Sequence, residues 1–265
     1  MIYKRVAARL KGQDWLAITI ELAIVVIGVF IGTQVSNWNA ERLEKAETER
    51  TIAQLAPNLE ALTAFYAHAR SYYGTTKRYA DIALAGWRGD PTVSDRDFVI
   101  AAYQASQILG ISNNNSAWPT VLGADQLRRI DNLEIRNELT TLVSADYSQL
   151  DTAAVNTPYR QNVRRQIPSD LQDAIRARCG DRRSTDGSGN FLTLPPTCDL
   201  RIDPAQAAKA AAILRAHPSL MEDLQWHVAA QAALLDNLTG FEETTADLQR
   251  RIGQPTEYRQ LRRQG

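Results

Sequence analysis

The chain has 265 residues, 44% of them apolar and 23% charged, and thirty Lys and Arg balance thirty Asp and Glu, so the formal net charge is zero. That balance excludes a nucleic-acid binder, which needs a sustained basic excess, and the apolar share suffices for one real core. Two cysteines and three histidines (His68, His217 and His227) provide no C-x-x-C or H-x-x-x-H spacing, so no metal site and no cofactor are expected.

The first element is the most distinctive. Leu16 to Val35, LAITIELAIVVIGVFIGTQV, is an almost unbroken apolar run of twenty residues flanked by Trp15 and Trp38. At ~1.5 Å of helical rise per residue it reaches ~30 Å, the thickness of a bilayer's hydrocarbon core, so it reads as one membrane-spanning helix over 15–37. Residues 1–14 carry Lys4, Arg5, Arg9 and Lys11 against Asp14 alone, and positive flanks stay cytoplasmic. The expected layout is a basic cytoplasmic tail over 1–14 and the bulk of the chain in the periplasm, held at a bacterial inner membrane. A cleavable signal peptide is the alternative, but the run is long for one and no clean small-x-small site precedes Trp38.

Within the span, Gly28 and Gly32 sit four apart on one helical face and permit a second helix to approach closely. Glu21, seven residues before Gly28, projects from nearly the same face. A charged carboxylate at that depth costs a few kcal/mol against lipid, which favours a partner or water beside it. A protonated carboxyl, or one reaching up to the headgroups, is the plainer reading. Glu21, Gly28 and Gly32 are therefore the candidate contacts to another membrane helix, in a partner protein or a second copy. Trp15, Gln34, Asn37, Trp38, Asn39 and Arg42 are the candidate interfacial residues, because indoles and hydrated polar groups suit headgroup depth.

The span runs without a breaker into WNAERLEKAETERT, a charged stretch that reads as a helical linker over 38–51. From Ile52 the stripe Ile52, Leu55, Leu59, Leu62, Tyr66 and Tyr73 follows a three-four repeat and must pack on something. Pro57 inside it predicts a kink or a restart, and Gly86 to Pro91 end the segment. Further helix starts are marked by pairs resembling N-caps: Ser94 with Asp97, Asp131 with Glu134, Asp203 with Gln206, and Ser219 with Glu222. The Asp131 helix, with Ile135, Leu139, Leu142 and Leu150 on one side, is expected to run to about Gln166 despite Pro158. The Ser219 helix carries Leu220, Leu224, Val228, Leu235, Leu238, Leu248 and Ile252 in register and stops at Gly253 after Arg250 and Arg251. Ala205 to Ala216 suits close helix contact. No convincing period-two alternation is present. The fold class is therefore mainly α: one N-terminal transmembrane helix continuing into a helical bundle of roughly six helices over 52–265, with a loop at 180–203.

Cys179 and Cys198 bracket GDRRSTDGSGNFLTLPPT, a stretch too rich in Gly, Pro and Ser to hold itself rigid. In an oxidising compartment they can close a disulfide with a nominal stabilisation of roughly 3 kcal/mol. Two separate thiols are the alternative.

The stretch IELAIVVIGVFIGTQVSNWNAER resembles the start of a family of uncharacterised bacterial membrane proteins whose apolar anchor ends in a Gln/Asn-rich W-N-x-x-R segment, here Gln34, Asn37, Trp38, Asn39 and Arg42. A second patch, around Leu127, Arg128, Ile130 and Asp131, resembles that family's later helical block, with Asp125 where its glycine tends to stand. The resemblance implies a single-pass membrane protein and carries no catalytic residue with it.

No nucleophile elbow, Walker loop, dinucleotide fingerprint or zinc helix is present, and Ser188 stands in S-G-N rather than G-x-S-x-G. His227, beside Trp226 on an amphipathic helix, reads as a core residue before a base. An enzyme is not expected. The leading expectation is an accessory or scaffold protein of a membrane assembly, or a homo-oligomer. The alternatives are a periplasmic ligand sensor signalling through a partner, and a proton-coupled envelope component using Glu21.

Overall fold

The computed structural model describes residues 15–110, 127–128, 130–146, 150, 156–186 and 189–253, without the side chains of 15–18, 54, 186, 189–190 and 253. The basic tail at 1–14, Asp125 and Ser188 lie outside the described residues. The chain divides into two compact units, Met1–Ile52 and Ala53–Gly265. Among the described residues there are seven helices and one two-stranded sheet, so the protein is mainly α.

The first helix, α1, is Trp15–Trp87, 73 residues without a break. One part of it is long and apolar enough to cross a membrane. Of the kink or restart expected at Pro57, the restart does not occur: the proline lies inside a continuous helix. An interior proline forfeits one backbone hydrogen bond and costs ~3 kcal/mol. Leu55 and Leu59 on either side are fully buried, each contributing roughly 1.5–3 kcal/mol, so tertiary packing outweighs the local preference. The stripe sequence reasoning singled out is the buried one, with Leu55, Leu59, Tyr66 and Tyr73 in the core and Leu62 packed against it.

After Trp87 the chain turns at Gly89, whose φ of 74° favours glycine. It enters α2, Asp95–Gln104, whose Ser94 cap accepts from the Asp97 amide. Gly86 is required by this return: a Cβ there would lie 2.3 Å from the Phe98 ring, so α2 can approach α1 only over a bare backbone. Every residue of α2 from Phe98 to Gln104 is buried, which identifies it as the central helix of the bundle.

The third helix, α3, is Leu133–Ser144, capped by Asn132 through the Glu134 and Ile135 amides rather than by Asp131. It does not run on to Gln166. Pro158 instead opens a separate helix, α4, Pro158–Gln166, at the first-turn position where its missing N–H has no partner to lose. Helix α5 follows as Ser169–Cys179. The stretch expected as a loop at 180–203 contains an antiparallel hairpin, β1 Arg182–Asp186 with β2 Gly189–Thr193, in the register Arg182↔Thr193 to Asp186↔Gly189. Its strands are too polar to alternate visibly, and it is anchored from outside: Phe191 stacks on His68 at 3.4 Å and Leu192 packs against the core.

Helix α6, Pro204–Arg215, starts on Asp203, which accepts from the Gln206 amide, and buries Ala207, Ala210, Ala211 and Leu214. It packs most closely on α2, as its small side chains allow. The last helix, α7, is Ser219–Gly253 and packs on α3 and α4. Cys179 and Cys198 form a disulfide with Cα atoms 5.5 Å apart. It ties the end of α5 to the segment before α6.

Candidate functional site

The residues singled out for membrane contact all lie on the first half of α1. From Ile20 to Val35 the large apolar side chains are exposed on every side, between 51% and 64% of their surface. Apolar exposure all round a helix is expected where the surroundings are lipid or another apolar helix. Gly28 and Gly32 have open space where a Cβ would stand, so nothing among the described residues requires them to be glycine. Glu21 is exposed among these side chains.

Helical geometry extends this face beyond what sequence reading identified. Glu21, Val25, Gly28, Gly32, Val35, Asn39 and Arg42 are spaced by four, three, four, three, four and three residues, the three-four repeat that sets them in one line, a seam, along the helix. The seam is narrow in its middle and polar at both ends. The interfacial set divides accordingly: Asn39 and Arg42 lie on it, while Gln34, Asn37 and Trp38 point elsewhere around the helix. The Arg42 guanidinium stands 5.9 Å from the Trp38 ring centroid, one turn apart, so the cation covers the indole face. Trp15 opens the helix, and its side chain is not among those described.

The second unit has a polar centre that sequence reading missed, built where α2 ends. A helix C-terminus leaves carbonyls without intrahelical partners, and here side chains from α4 and α7 take them. Tyr159 Oη donates to Ala102 O at 2.7 Å, and His227 Nε2 lies 3.0 Å from Ala105 O. Arg160 donates to Ser106 O, and Arg164 Nε donates to Ser106 Oγ at 2.9 Å with Nη2 on Gln107 Oε1, also at 2.9 Å. Gln104 in turn donates to Cys179 O at 2.5 Å, linking the centre to the disulfide. Two arginines at this end also complement the helix macrodipole.

His227 is fully buried. Because a carbonyl can only accept, Nε2 carries the proton and Nδ1 accepts from the Thr157 hydroxyl at 2.8 Å. The Gln231 amide, 3.0 Å from Nε2, then pairs best by turning its oxygen toward the ring, which also gives the unpaired Gln231 Oε1 a donor. Burial pushes the imidazole pKa down to about 4, aided by the Arg160 charge and opposed by the Ala105 hydrogen bond. The ring is a neutral structural member, as its position on an amphipathic helix suggested. His68 is committed to its stack on Phe191, and His217 is exposed. No group of three or more His, Cys, Asp or Glu side chains able to hold a metal occurs among the described residues.

No family model, curated protein or solved structure matches the chain.

Proposed function

We propose that this protein is a single-pass, membrane-anchored interaction protein whose helical domain works on the periplasmic side of a bacterial inner membrane. It serves there as an accessory or scaffold subunit of a larger assembly or as a homo-oligomer. The observation that carries the reading is the seam from Glu21 to Arg42, with Gly28 and Gly32 open to the outside. A helix-interior glycine is about 0.8–1 kcal/mol less favourable than alanine, and no contact among the described residues compensates for two of them. A partner helix approaching over the bare backbone does. Asn39 and Glu21 at the ends of the seam then fix its register, as single polar residues do in interlocking helices.

The disulfide supports the periplasmic side, because such bonds persist in oxidising compartments. The resemblance of the anchor to uncharacterised bacterial membrane proteins points the same way.

Purification of the full chain in a mild detergent is expected to bring down a stoichiometric membrane partner or a homo-oligomer. Replacing Gly28→Leu and Gly32→Leu together should preserve membrane insertion and weaken that association by at least about tenfold, equivalent to ~1.4 kcal/mol. A monomer in several detergents, or an association indifferent to the double substitution, contradicts the reading.

A further inference from the structure

Arg160 and Arg164 stand one turn apart on α4, both half-buried, and neither meets a carboxylate among the described residues. Their recorded partners are the neutral oxygens of Ser106 and Gln107. The Arg164 guanidinium also lies over the Tyr103 ring, 4.8 Å from its centroid. The Tyr103 hydroxyl, on a side chain with no exposed surface, has no hydrogen-bond partner among the described residues. A buried hydroxyl left unpaired costs roughly 1–3 kcal/mol, so its presence calls for a group to meet it.

Burial, followed by the charges of Arg160 and Arg176, draws the Arg164 guanidinium below its ordinary pKa. Two acids nearby are already engaged: Asp181 accepts from Tyr72 Oη at 2.7 Å, and Asp173 pairs with Arg176. Arg160 retains Nε and Nη2, and Arg164 retains Nη1, with no recorded acceptor among the described residues. Each guanidinium presents a planar fork of donors and no acceptor. A phenolic O–H adds one more donor. The complement of such a set is a ligand whose oxygens only accept and which brings negative charge.

We propose that Arg160, Arg164 and Tyr103 form a binding site for a small oxyanion of the phosphate or carboxylate type, with the two guanidinium groups gripping it and the phenol reaching it once Arg164 swings toward the ligand. The anion would neutralise the like charges and give the orphaned hydroxyl its acceptor, through charge-assisted bonds stronger than neutral ones. This inference does not depend on the membrane-contact reading, since every residue in it belongs to the second unit.

The test is thermal unfolding of the full chain in detergent, in a phosphate-free chloride buffer, with sodium phosphate or sodium acetate added at constant ionic strength. A rise is expected with at least one of them, growing by roughly 3–5 °C for each tenfold of anion above its Kd. The anion that acts at the lower concentration identifies the class. Arg164→Gln should abolish the rise. Tyr103→Phe keeps the ring and removes the unpaired hydroxyl, so in chloride it should unfold at the same or a higher temperature, and with the anion it should show a clearly smaller rise than the native chain. No rise with either anion beyond the chloride control overturns the proposal, as does a Tyr103→Phe variant that keeps the full response.

Discussion

Acidification from pH 6.5 to pH 4 is expected to remove about 3 kcal/mol of stability from the folded domain, through His227. In the unfolded chain an imidazole takes up its proton near pH 6.5, whereas in the fold burial holds His227 down to about 4. Below 6.5 the unfolded state therefore binds a proton that the native state refuses, and stability falls until the native ring titrates as well. Above 6.5 both states are neutral and the term vanishes. Glu138, raised by burial, works weakly in the opposite direction. The depressed carboxylates Asp90, Asp199 and Asp247 lose their contribution only below the ordinary aspartate range, so the window above pH 4 belongs to His227. Urea titrations at intervals from pH 7.5 to 4 read the slope directly. His227→Gln, which can still accept from Thr157 and donate to Ala105, should flatten it. A stability curve level across this window, or one equally steep in the variant, contradicts the buried neutral ring.

Reduction of the disulfide is expected to cost a similar amount. Cys179 and Cys198 are 19 residues apart, and in the chain-entropy picture a loop of that length is worth about 3 kcal/mol. The fold does not leave the bracket to the disulfide alone. Arg96 donates to Cys198 O and to Leu200 O, both at 2.7 Å, Gln104 holds Cys179 O, and Arg178 pairs with Asp199 across the ends. The exposed Arg178–Asp199 pair adds little, whereas the bonds from Arg96 and Gln104 keep the ends in place in the native state. Cys179→Ser with Cys198→Ser should therefore shift the urea midpoint sharply downward with a larger m-value, since the unbridged unfolded chain exposes more surface. A shift below about 0.5 kcal/mol would mean that the segment is already ordered in the unfolded ensemble.

Much of this fold can be read from apolar spacing and capping chemistry. The stripes on α1 and α7 are legible because burial repeats every three to four residues, and Ser94 and Asp203 cap where their partners stand three positions on. Three readings failed for separate physical reasons. The helix does not restart at Pro57, because a local cost of one broken bond is visible in the sequence while the burial of Leu55 and Leu59 depends on partners distant in the chain. Pro158 was given too little weight: a proline at the first turn starts a helix, and the apolar positions around it fit either a long helix or two short ones. The hairpin at 182–193 was invisible because its strands have no apolar face of their own and rely on His68 and the core. The polar centre at the end of α2 is harder still to foresee. Its members, from Gln104 to Gln231, come from three helices, and only the fold shows that each answers a carbonyl left over from another. In the anchor, Gly28 and Gly32 are legible as a face, and since the sequence also reads as one helix running on past Trp38, the line from Glu21 to Arg42 needs only the three-four spacing to be followed beyond the membrane exit.

The side of the membrane on which the domain lies is tested most directly by labelling Trp226→Cys in intact spheroplasts with a membrane-impermeant maleimide. Trp226 is exposed on α7, with 66% of its surface accessible, and the two native cysteines are tied up in their disulfide. Labelling to the same extent before and after lysis is the expected result for a periplasmic domain on a cytoplasm-anchored span. Labelling that begins only once the cells are broken open contradicts it.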